Sequence, residues 1–254
     1  MYKRQLEHLT SSAQLIFTSV CDAISSKAPK NRSGRVSTSI LSEPVLFRLL
    51  ELYATKLDAG SIAQVWPIMS LLARTMAQTT SPYVVYHALR LTTVMGTKLT
   101  DSNLFNEQRT RRDVQDAFVR LCELTISLYG RSLDILSGRD SDAPSVASDR
   151  GETPRDVVSP TSVVQTLCSM VLPAFTTLRV DQDKIQSVSA SLAYYILAPG
   201  FRARQGSWEP EPLLFEVLES LTQLPATSKT WRSYVLDTFF DVRFFAQSLD
   251  MGKQ

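Results

Sequence analysis

Apolar residues recur at spacings of three and four along almost the whole chain, and no stretch alternates clearly between apolar and polar as a half-buried strand would. Leu6, Leu9, Ala13, Ile16, Val20 and Ala23 set this pattern in a first amphipathic helix. A basic loop, SKAPKNRSGRV, follows from Ser26 to Val36. A second helix is expected from Ser42, with Pro44 tolerated in its first turn. It carries Val45, Leu46, Leu49, Leu50 and Tyr53 and stops before Gly60. Ser61 is the expected cap of a third helix, through Ala77, bearing Ile62, Val65, Trp66, Met69, Leu72 and Met76. Pro67 requires that this helix start later or bend. Ser81-Pro82 opens a fourth helix that frays at Gly96, and the longest helix runs from Arg109 or Thr110 to Leu136. Its inner face holds Val114, Phe118, Leu121, Leu124 and Leu128, with pairs such as Arg111–Gln115 and Asp116–Arg120 outside.

The pattern then breaks. Ser137 to Pro160 reads SGRDSDAPSVASDRGETPRDVVSP, too poor in large apolar residues to offset its ordering entropy. It predicts a disordered insertion, in which Thr153-Pro154 and Ser159-Pro160 suit proline-directed phosphorylation. Helices resume over Val163–Leu178, Asp181–Leu197 (ended by Pro199-Gly200), Leu213–Leu224, and a last one beginning after Ser228 or Thr230. Nine glycines among 254 residues agree with this, because all-β and nucleotide-binding α/β chains spend glycine on turns and phosphate loops.

Roughly eight or nine helices joined mostly by short polar turns form antiparallel hairpins, each with an apolar face it cannot bury alone. The expected fold is all-α, an α-solenoid of HEAT- or armadillo-like hairpins; an irregular helical bundle is the alternative. Residues 1–136 and 161–254 are its two helical parts, one continuous solenoid, with 137–160 as the insertion.

Chemistry finds little purchase. His8 and His87 stand in no metal-binding spacing, and His87 reads as a core or boundary residue. There is no GxSxG, P-loop or GxGxxG motif. Asp237 with Asp241, and Glu209, Glu211 and Glu216, are carboxylate groups that read as solvated surface rather than acid–base pairs. Cys21, Cys122 and Cys168 lie far apart in apolar segments, as reduced buried thiols would. The sequence therefore argues against an enzyme and calls for no cofactor and no metal.

Charge narrows the partners. A net charge of +2 gives no global field for nucleic acid. Two local knots, Lys27, Lys30, Arg32 and Arg35, and Arg109, Arg111 and Arg112, are candidate contacts for anionic lipid. The uncharged run Val157–Leu178 is long enough to span a bilayer, but Pro160, Pro173, Gln165 and its hydroxyls make it a buried helix.

The stretch WRSYVLDTFFDVRFF, from Trp231 to Phe245, holds most of the remaining information. At about 100° per residue, Trp231, Val235, Phe239 and Val242 share one broad apolar stripe, expected to pack on the preceding helix. Leu236, Phe240 and Phe244 form a second stripe, which is the candidate protein interface, with intramolecular burial as the alternative. A membrane-surface helix would have one apolar face opposed by a strongly basic one. With the capping Ser228 before it, this stretch resembles the C-terminal region of the Dopey family, in which a Trp opens a helix and an apolar, acidic segment ends in Asp, Pro and Phe-Phe. Trp231, Asp237, Phe240, Asp241, Phe244 and Phe245 match that pattern, and Val242 stands where the proline is expected. SEPVLFRLLELY and RRDVQDAFVRLCELT fit the same region more loosely. The resemblance implies a fragment of a much longer cytosolic, helical-repeat protein. It implies a peripheral scaffold on Golgi and endosomal membranes, acting in endosome-to-Golgi retrieval. The implied partner is a large helical scaffold related to Arf exchange factors, with a link to aminophospholipid flippases. Self-association and direct phosphoinositide binding are the other modes of action considered, and no catalytic residue is implied.

Overall fold

The computed structural model describes residues 13–27, 43–79, 81–136, 158–202, 212–225 and 227–240. Every regular element among them is helical, so the fold is all-α. Residues 1–121 and 122–254 form two compact units, divided within the longest helix. Leu6 and Leu9, and residues 137–157 of the expected insertion, lie outside the described residues.

The first unit holds α1 (Ala13–Lys27), α2 (Glu43–Ala54), α3 (Ala59–Met76), α4 (Pro82–Leu99) and a 3-10 turn at Asn103–Asn106. It also takes the first part of α5 (Gln108–Leu136). Helix α1 lies against α3 and α2 against α4, the neighbour relation of stacked hairpins. Phe17, Ile24, Phe47, Leu50, Ile62, Met69, Leu89, Leu91 and Met95 are completely or almost completely buried. Two polar clasps join α2 to α4. The Arg90 guanidinium donates to Glu51 Oε1 at 2.6 Å, and the Lys98 ammonium donates to the Thr55 and Leu57 carbonyls at 2.5 and 2.7 Å. The second clasp takes up two carbonyls of the turn that follows α2.

The punctuation differs from expectation at α3. Its cap is Asp58, which accepts from the Ser61 amide at 3.1 Å and the Ser61 hydroxyl at 2.6 Å. The helix therefore starts at Ala59, and Gly60 falls inside the first turn. These bonds from Ser61 hold the exposed Asp58 carboxyl below its usual range. The helix then passes through Pro67, giving up one backbone bond there. Helix α4 likewise continues past Gly96, which is buried, to Leu99. On α5 Gln115 is buried rather than outward, while Asp116 and Arg120 are exposed.

The second unit holds the rest of α5, α6 (Pro160–Thr166), α7 (Leu172–Thr177), α8 (Gln182–Leu192), α9 (Ala198–Arg202), α10 (Pro212–Thr222) and α11 (Ser228–Phe239). Two π turns, Leu167–Val171 and Ala193–Leu197, join α6 to α7 and α8 to α9. Each ends two residues before a proline, Pro173 or Pro199. A proline ring clashes with the carbonyl four residues back, here Ser169 or Tyr195, and both carbonyls lie inside the widened turn. The helix therefore continues through Pro199-Gly200 instead of ending there.

Helix α7 closes in a Schellman motif. The Val180 amide donates to the Phe175 carbonyl and the Arg179 amide to that of Thr176, each at 3.1 Å, with Arg179 at φ 51°. Gly130 of α5 lies so close to the second π turn that an added Cβ would be 2.5 Å from Tyr195 Cβ and 2.8 Å from the Tyr195 carbonyl oxygen.

Candidate functional site

Among the described residues, helix α11 lies chiefly against α8 and the second π turn. Its entry is fixed by Thr227, one residue before the expected cap. The buried Thr227 hydroxyl donates to the Leu221 carbonyl at 2.6 Å and accepts from Trp231 Nε1–H at 3.4 Å. Trp231 and Val235 of the first stripe are half-buried, and these two side chains face the body of the unit. Leu236 and Phe240 of the second stripe are 38% and 77% exposed. Phe244 lies outside the described residues. The backbone still holds Phe240 in place, its amide donating to the Leu236 carbonyl at 2.8 Å. Two exposed apolar side chains one turn apart form a small apolar surface, which a helix presents at little entropic cost to a partner.

The two basic knots separate. Lys27 ends α1, while Lys30, Arg32 and Arg35 lie outside the described residues. Arg109 and Arg112 are exposed and Arg111 is half-buried. Arg109 and Arg112 line a groove of about 630 Å³ between α3 and the start of α5, with Trp66, Arg74, Asp113 and Asp116. Trp66 Nε1–H donates to Asp113 Oδ2 at 3.2 Å, and Arg74 Nη2 donates to Asp113 Oδ1. Burial alone would raise the Asp113 carboxyl, but bonds from Ser70, Arg74 and Trp66 outweigh it and hold that carboxyl below its usual range.

Sequence reading placed Trp66 in the core, where it is, without its polar handle. Arg74 and Asp113 lie 39 residues apart on two helices, and no local pattern links them.

The thiols are unsuited to nucleophilic work. Burial, with Asp22 nearby, pushes Cys21 up to about 12; burial raises Cys122 as well. Cys168, half-buried, is raised by burial, partly opposed by a hydrogen bond from Ser220. No helix among the described residues is long and apolar enough to cross a membrane.

Residues 49–254 match the family model described as "DOP1 C-terminal". The chain is also similar to "Protein dop1" of Emericella nidulans, 25% identical over 223 residues. That similarity covers 85% of this chain and 12% of the relative's length. No solved structure matches.

Proposed function

The chain belongs to the Dopey family through its DOP1 C-terminal region, and from that premise we propose that it is a non-catalytic interaction module in membrane trafficking. It acts in endosome-to-Golgi transport, peripheral to Golgi and endosomal membranes, through protein–protein contacts on helical surfaces. The partner class is the large helical scaffold that the family resemblance implies. The observation that carries the reading is the pair Leu236 and Phe240, exposed on α11 inside the family-matched region. An apolar pair on a fixed helix is what a groove between helices of a partner recognises.

The test is direct binding. The 254-residue chain is passed over the immobilised scaffold as wild type and as Leu236→Asp/Phe240→Asp. The expected result is binding by the wild type and at least about a tenfold loss in the double variant, with its melting temperature unchanged. No binding, or equal binding by both, contradicts the reading. Flotation with phosphoinositide vesicles, lost on reversing Lys27, Lys30, Arg32 and Arg35, would instead favour a lipid-binding module.

A further inference from the structure

The groove between α3 and α5 has a chemistry that the α11 surface lacks. Three arginines, Arg74, Arg109 and Arg112, line it against two aspartates, Asp113 and Asp116. Asp113 is committed inward, accepting from Trp66 and Arg74, so Arg74 is largely neutralised as well. Neither Arg109 nor Arg112 takes part in an ion pair among the described residues. They lie three residues apart on one helix, which sets both guanidinium groups along the same side of the groove. Guanidinium forks left open to solvent at a concave surface match carboxylates, each able to accept two parallel bonds. Trp66 and Pro67 supply an apolar wall on the opposite helix.

We propose that this groove docks a short acidic segment of a partner protein, with carboxylates seated on Arg109 and Arg112. A bilayer fits it less well. A membrane surface is broad, and it favours a convex, uniformly basic face. Here the basic side chains sit in a recess and are interleaved with Asp113 and Asp116, an arrangement that a narrow chain can follow and a headgroup plane cannot. The proposal deepens the interaction-module reading and rests on it for the partner being a protein.

The experiment selects a random peptide library displayed on phage against the 254-residue chain, then measures an enriched peptide by fluorescence anisotropy. The expected result is enrichment of sequences rich in Asp and Glu. Their affinity should fall at least about tenfold in Arg109→Glu/Arg112→Glu and weaken with added salt. Arg120→Glu, on the same helix but outside the groove, should bind like the wild type. The milder Arg109→Gln/Arg112→Gln guards against a folding defect and should lie between. Leu236→Asp/Phe240→Asp should leave the selection untouched, so failure of the α11 reading and failure of this one are distinguishable. No acidic enrichment, or enrichment that survives the double reversal, overturns the proposal. So does binding to phosphatidylcholine–phosphatidylserine vesicles that depends on Arg109 and Arg112 while no peptide is selected.

Discussion

Single residues carry much of the specification, and three of them make sharp predictions. Gly130 leaves room for the Tyr195 carbonyl, which the second π turn places against α5. Because the obstacle includes backbone, Gly130→Ala should destabilise by about 1–3 kcal/mol in urea unfolding. Arg179 is the opposite case, a bulky residue at φ 51° where a Schellman motif prefers glycine. Arg179→Gly should stabilise by roughly 0.5 kcal/mol, the relief of left-handed strain exceeding the added freedom of the unfolded chain. Asp113 sets a pH dependence. Its carboxyl is held below the usual range in the folded chain, so its contribution is present above the unfolded value and is lost as pH falls through the folded one. Urea midpoints measured across the acidic range should therefore fall less steeply for Asp113→Asn than for the wild type. Glycine and aspartate are visible in a sequence, but their partners here are not. Tyr195 and Arg74 approach from other helices, and only packing decides which ones.

At the scale of elements, helix existence was legible and helix punctuation was less so. The three-and-four spacing located the helices because burial of one face is what stabilises them. The opening of α4 at Pro82 falls where the sequence places it. Proline and glycine misled where tertiary packing outweighed local preference. Pro199, Gly60 and Gly96 all lie inside helices. At Pro173 and Pro199 the cost is absorbed by widening the preceding turn, a device that leaves no signature beyond the proline itself. The clasp from Lys98 to the end of α2 was equally hidden, since it closes over more than 40 residues. Lys98→Met keeps the aliphatic stem but removes the ammonium from the Thr55 and Leu57 carbonyls. It should cost roughly 1–2 kcal/mol, read as a lower urea midpoint with an unchanged slope.

For the whole molecule, the candidate sites were legible in unequal measure. The stripe through Leu236 and Phe240 followed from helical wrapping alone, because exposure on a helix is periodic. The α3–α5 groove did not, because its cations and carboxylates are assembled from two helices. The family region, residues 49–254, draws on both compact units and contains both surfaces. Its relative is far longer, this chain spanning 12% of that protein. Protein docking at α11 is read out by hydrogen exchange of the 254-residue chain with and without the proposed helical partner. Slower exchange confined to residues around Ser228–Phe240 is expected when the partner is present, and no such change in Leu236→Asp/Phe240→Asp. Binding of the partner with exchange at α11 unaltered would contradict it.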